Sequence, residues 1–259
     1  MNTERAAAAG TTGVQIRRVP KDRPWAWLTA GWQDLMAAPH IGFFYGAALT
    51  AAGWALVLVL LQMGAAWAVL PATAGFFLVA PLLGAGLYEV SRRREVGEPI
   101  SLPIAFRAFR RNGAQLAFLG VLLLLIHLFW VRMAGLIFAL FFGLGFSPAI
   151  EDLPLALLRS GQLLPFLVVG TAVGLVLASL AFAISAVSIP MLLDRDVTTM
   201  EAVVASIQAV LENWPAMVFW AGLIVVLTAM ALVPFFLGLA LVLPVIGHAT
   251  WHAYRDLVR

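Results

Sequence analysis

The placement of charge constrains this chain more than any motif does. No Asp, Glu, Lys or Arg lies between Asp34 and Glu89, between Glu212 and Arg255, or from Ser160 to Leu193. From Asn112 to Ile150 there is one, Arg132. A helix rises ~1.5 Å per residue and a bilayer's hydrocarbon core is ~30 Å thick, so one crossing takes ~20 residues. The first gap, 54 residues, holds two crossings and a turn, and the last, 42 residues, just holds two. Each of the others holds at least one. The expected fold is all-α: a polytopic membrane helical bundle of about six transmembrane helices joined by amphipathic interfacial connector helices. The spans are expected at about 41–62, 66–90, 114–145, 162–190, 215–233 and 234–255. Five spans result if residues 215–255 form one long tilted helix.

Composition agrees. The 259 residues are 63% hydrophobic and 11% charged, with mean hydropathy +0.97. A soluble domain is roughly half apolar and a quarter charged. A soluble enzyme is excluded as the default, and so is a disordered or fibrous chain. The absence of cysteine excludes disulfides, thiolate metal sites and cysteine nucleophiles. Residues 1–23 read as a disordered cytoplasmic tail before a single transmembrane domain, 24–259. Met1–Gln15 has no apolar core of the kind a signal peptide needs, so the first span itself is expected to direct insertion.

Arginines set the orientation. Arg17, Arg18, Lys21 and Arg23 precede the first span; Arg92, Arg93 and Arg94 follow the second; Arg107, Arg110 and Arg111 precede the third. Arg195 follows the fourth, and Arg255 and Arg259 the last. With six spans these share one side, which the positive-inside rule makes cytoplasmic, together with both termini. The pI near 9.9 then needs no nucleic-acid partner: membrane lipids with anionic headgroups at the basic cytoplasmic rim are sufficient use for it.

Three segments read alike: Asp34 to Phe44 around Pro39, Phe109 to Phe118 around Asn112, and Leu211 to Phe219 around Asn213. Each sets a short polar stretch before an apolar span. Each resulting pair of spans ends near a proline among apolar neighbours: Pro81, Pro190 and Pro244. Three helical hairpins are expected, the middle one enlarged. Connector helices should run from about Leu102 to Arg111 and through Val203, Val204, Ile207 and Val210. Trp25, Trp27 and Trp32 mark a similar interfacial approach to the first span.

Chemistry-bearing residues are few. His248 and His252, four apart, share one helix face, a spacing open to metal or haem ligation; interfacial histidines bonded to neighbouring helix ends are the favoured alternative. His127 and Arg132 are polar exceptions inside the third span. An ionisable group at that depth costs ~2.5–3.5 kcal/mol on insertion scales and usually faces the bundle interior with a partner. Arg132 is expected in the outer half, snorkelling or in an ion pair with Glu151 or Asp152; a substrate or proton-relay role is the alternative. Asp194 and Asp196 are expected to cap the connector helix starting near Thr198 or Thr199. Glycine phosphate loops, nucleophile elbows and zincin motifs are absent. No catalytic residue and no cofactor is assigned.

Trp25-x2-Leu28-x2-Gly31-x2-Asp34-Leu35, followed by Pro39 and Tyr45-Gly46, and the terminal Gly247-His-Ala-Thr-Trp-His-Ala-Tyr-Arg-Asp256, resemble the DUF2189 family of bacterial membrane proteins. The resemblance spans about Pro24 to Arg259. It implies a multi-pass protein of the bacterial inner membrane and carries no established activity. Some members bear a cytochrome c oxidase label. The catalytic subunit of such an oxidase needs more histidine ligands than the four histidines here, which leaves an accessory subunit or assembly partner. The favoured expectation is thus a non-enzymatic accessory or assembly component contacting lipids and other membrane subunits. A small-solute transporter or channel and a haem- or metal-binding protein are the alternatives.

Overall fold

A computed structural model describes residues 14–146, 148 and 152–259, with backbone alone at Trp67 and 76–81. Every regular element among the described residues is helical: α1 (Arg23–Ala37), α2 (Pro39–Gln62), α3 (Val69–Leu83), α4 (Ala85–Glu95), α5 (Leu102–Arg107), α6 (Gly113–Phe142), α7 (Leu153–Arg159), α8 (Leu163–Ser185), α9 (Ser188–Asp194), α10 (Thr199–Glu212), α11 (Trp214–Leu232) and α12 (Leu239–Leu257). Prolines open several of them, where a missing N–H costs nothing: Pro24 in α1, Pro39 in α2, Pro215 in α11.

Four stretches are long and apolar enough to cross a bilayer: Pro39–Gln62, Gly113–Phe142, Leu163–Asp194 and Trp214–Leu232. The other two expected spans take a different form. α3 has only 15 residues before the chain breaks at Gly84. α12 is continuous through Pro244 but polar beyond it, with His248, His252, Arg255 and Asp256. Residues 215–255 are two helices and not one: Phe235 and Phe236 both take positive φ, 51° and 67°, in the turn between α11 and α12, a conformation L-residues enter only at a cost.

The chain divides into two compact units. One comprises the residues up to Thr50, Pro81–Leu119 and Ala183–Arg259. Within it the three repeats are packed in a cycle. Each has a connector (α1; α5 with the 3-10 turn Ala108–Arg110; α10) and a return segment (α4, α9, α12), with Pro190 inside α9, Pro244 inside α12 and Pro81 ahead of α4 near the end of α3. α5 packs on α4, α10 on α9, and α1 on α12, so every connector lies on the return segment of the repeat before it, and the first closes on the last. The three return segments also touch one another, and residues 85–91 and 188–193 are buried throughout.

Small residues at matching positions permit this. Aligning Ala38, Asn112 and Asn213 aligns Gly31 with Ala105 and Ser206, and Asp34 with Ala108 and Ala209; all six of the latter are buried. At Gly31 the approach is so close that a Cβ would lie 2.7 Å from Ala249 N and Val245 O. Trp27, Trp220 and Trp251 fill the spaces between helices, with the Trp27 and Trp220 rings edge-on at 5.9 Å.

Polar side chains lock the same seams. Asn112 Nδ2 donates to Val197 O (2.9 Å), just ahead of α10. Asn213, its equivalent, accepts from Val19 N (2.8 Å) and donates to Arg17 O (3.1 Å), just ahead of α1. Arg17 N in turn donates to Leu257 O at 2.8 Å, beside an antiparallel bridge between Ile16 and Val258. Residues 14–22, expected within an unstructured tail, are therefore held by the C-terminus. The cap of α10 also differs from expectation: Thr198 and Glu201 form a reciprocal capping box, while Asp194 bonds Tyr254 and Arg255. A Thr with Glu three residues on satisfies two orphan N–H groups from within four residues, leaving Asp194 free for α12.

The second unit comprises Ala51–Ala80 and Gly120–Phe182. Trp130 of α6 donates to Pro71 O of α3 at 2.8 Å, and Gly174 of α8 approaches the Trp130 ring. Phe138, Phe142 and Phe166 cluster with centroids 4.9 to 5.9 Å apart.

Candidate functional site

The most concentrated polar chemistry is at the seam of α1, α4 and α12. Asp34 is the one ionised residue at a connector position that the other repeats fill with alanine. It is 3% exposed, and a lone buried carboxylate would cost several kcal/mol. It is not alone. Oδ1 accepts a short charge-assisted bond from Arg94, and Oδ2 lies 2.8 Å from His252 Nε2. Burial pushes the Asp34 carboxyl up, but hydrogen bonds with His252 and Ser91 outweigh that and hold it below its ordinary value. Ser91 Oγ is also 2.8 Å from His248 Nδ1. His248 is fully buried, and its Nε2 has no partner of hydrogen-bonding geometry, although the Leu87 backbone faces it.

The network extends to the surface. Glu95 bridges His252 Nδ1 (3.8 Å) and Arg255 (3.2 Å), and Arg255 reaches Asp194 (3.5 Å). Tyr254 donates to Asp194 at 2.7 Å and accepts from Arg195 at 3.1 Å. Asp256 takes Trp27 Nε1 (2.8 Å) and Arg23 (2.5 Å). Beside it, the buried carboxylate of Glu89 binds Arg92 at 2.8 Å, Arg93 at 2.6 Å and Arg111 at 3.5 Å. The triplet Arg92–Arg93–Arg94 thus turns inward onto Glu89 and Asp34. With Asp34, Glu89, Asp194 and Asp256 each engaged and only His248 Nε2 left without a partner, the network braces α1, α4 and α12 against one another.

His248 and His252 do share the α12 face that their spacing predicts, but each ring is committed to a protein partner. Among the described residues no three His, Cys, Asp or Glu side chains converge as a metal site would require. His127 is half-buried on α6, its Nδ1 enclosed and without a partner against Gly75 of α3. Arg132 is exposed on α6, and no described residue pairs with it. Glu151, one proposed partner, lies outside the described residues. Asp152, the other, precedes α7 at its N-cap position without contacting Arg132. Periodicity could not have revealed the role of Asp34, because the positions that give it partners are 60 and 218 residues away. The one available signal was its mismatch with Ala108 and Ala209.

Residues 69–194, just under half of the chain, match the family model DUF2189, predicted integral membrane protein. The matched stretch runs from α3 to α9 and leaves out α1 and α12, whose residues carry the resemblance noted from the sequence. No curated protein and no solved structure matches the chain.

Proposed function

We propose that this membrane protein is a non-enzymatic accessory or assembly component of the bacterial inner membrane. In this reading its three hairpins make six crossings, with both termini in the cytoplasm. The observation that supports it most is the contrast between its two ends of chemistry. The ionised residues of the repeats are spent largely on one another, whereas the membrane helices leave wide apolar faces open. Only 11% of the most apolar window of Leu163–Asp194 is buried within the chain. Such a helix is held by lipid or by neighbouring helices, since burial against its own chain contributes little.

Purification from native membranes in a mild detergent, after brief crosslinking, tests the role. A partner recovered in fixed proportion is expected; recovery of the protein alone would sink the idea. The topology is tested separately, because a chain without cysteine accepts single probes. Val96→Cys and Asp196→Cys should react with a membrane-impermeant maleimide only from the cytoplasmic side, and Met63→Cys and Leu237→Cys only from the opposite side.

His127 favours a second reading, a small-solute transporter, because its unpartnered Nδ1 is enclosed beside α3. Solute flux in proteoliposomes that is lost in His127→Ala would support it, and unaltered flux would remove it.

A further inference from the structure

Subtracting the internal pairs from the basic end of the repeats leaves few free cations. Among the described residues, Arg17, Arg23, Arg92, Arg93, Arg94, Arg111, Arg195 and Arg255 all have carboxylate, hydroxyl or carbonyl partners. Arg18, Lys21, Arg107, Arg110 and Arg259 have none; of these, Arg107 and Arg110 are exposed together on one connector, the second. The repeat sharpens this. Arg107 is equivalent to Gln33 and Gln208, and Arg110 to Met36 and Leu211; all of these face outward. At these two outward positions the first and third connectors carry neutral or apolar residues, with Glu212 beside Leu211 in the third, and only the second carries two cations. Phe106, half-exposed beside them, packs on Tyr45 at the start of α2 with centroids 5.7 Å apart.

We infer that Arg107 and Arg110 form a binding site for the phosphodiester of an anionic phospholipid, with Phe106 against the lipid's glycerol and upper acyl region. Charge complementarity and continuity support this occupant. Three residues apart, the two guanidiniums leave the same helical face, and each presents a fork that matches phosphate oxygens. The segment leads through Asn112 directly into α6, one of the helices long enough to cross a bilayer, so its level is that of the headgroups at the helix's start. A soluble phosphate would satisfy the arginines but would leave Phe106 without an apolar neighbour on its open side. The inference rests on the membrane reading above and not on the accessory role.

The test uses the full-length chain purified in neutral detergent. The probes are phosphatidylglycerol, phosphatidylcholine and inorganic phosphate, read by thermal midpoint and by lipid retained in native mass spectrometry. Each basic side chain near an anionic surface contributes about fivefold in affinity (~1 kcal/mol). The double variant Arg107→Gln/Arg110→Gln should therefore bind phosphatidylglycerol about 25-fold more weakly, while Arg18→Gln/Lys21→Gln keeps most of the retention. Arg107→Lys/Arg110→Lys, which keeps the charge, should fall between them and guards against a folding defect in the glutamine variant. Equal retention by the double glutamine variant and the wild type overturns the site. Stabilisation by inorganic phosphate as large as that by phosphatidylglycerol overturns the lipid assignment. A partner-free purification would count against the accessory role and leave this result untouched.

Discussion

Asp34 Oδ2 on α1 lies 2.8 Å from His252 Nε2 on α12, joining the first connector to the last return segment where the third repeat closes on the first. Because Ala108 and Ala209 occupy the equivalent positions, alanine is sterically acceptable at 34. Asp34→Ala should therefore report the loss of polar partners and little else. With Arg94 and His252 both left without their carboxylate, a loss of ~2–3 kcal/mol is expected, seen as a lower thermal midpoint in detergent. Adding Arg94→Ala should recover part of it, since the unpaired cation goes too. An unchanged midpoint in Asp34→Ala would remove the brace from consideration.

Acid should unlock the same seam. Asp34 and Asp256 both have folded pKa values below the ordinary 3.8. For both, burial acts upward; hydrogen bonds from His252 and Ser91 at Asp34, and from Arg23 and Trp27 at Asp256, override it. A carboxylate with a depressed folded pKa contributes stability that is fully present above the unfolded value and is lost as pH falls through the folded one. The midpoint should thus hold down to about pH 4 and drop below it. Asp34→Asn, which cannot titrate, should start lower and show a shallower acid limb. A limb as steep as the wild type's would show that other groups govern acid unfolding.

Gly31 is a packing constraint and Gly222 is not. A Cβ on Gly31 meets backbone atoms of α12 at 2.7 Å, which cannot rotate away, whereas nothing lies within 4 Å of one on Gly222. Gly31→Ala should cost ~1–3 kcal/mol by forcing α1 off α12. Gly222→Ala, in the interior of α11, should be neutral or stabilise by up to ~1 kcal/mol. Equal midpoints for the two variants would contradict the close α1–α12 approach.

Much of the hairpin plan was legible because hydropathy and charge spacing are local signals. The stretches containing α2, α6, α8 and α11 could be located from the gaps Asp34–Glu89, Arg111–Glu151 (broken only by Arg132), Arg159–Asp194 and Glu212–Arg255. The prolines that mark the return segments were visible for the same reason. α3 was harder: an apolar run reveals its length but not the break at Gly84. The cyclic packing was hidden, since a connector meets the return segment of a different repeat. Nothing near Arg92–Arg93–Arg94 in sequence announces that they turn onto Glu89 and Asp34; a triple arginine beside a span reads equally well as a lipid-facing rim. The capping box at Thr198–Glu201 was readable in principle, but the flanking aspartates offered a competing cap.

Asn213 is the residue on which closure of the cycle depends most directly. Only 2% exposed, it spends its amide on three backbone groups: Val19 N at 2.8 Å, Arg17 O at 3.1 Å and Ala209 O at 3.2 Å. Asn213→Ala leaves Val19 N and Arg17 O without that partner in a buried seam, at ~1–3 kcal/mol for an unsatisfied group. The consequence should be local before it is global, because residues 14–22 have few other anchors beyond Leu257 and Asp256. Limited proteolysis should therefore cut between residues 14 and 22 several-fold faster in Asn213→Ala than in the wild type, under conditions where α11 and α12 remain intact. Asn112→Ala, acting on Val197 at the preceding seam, should instead expose the chain between α9 and α10. If both variants were cut first at the same place, the seams would not be independent and the equivalence of the two asparagines would be lost.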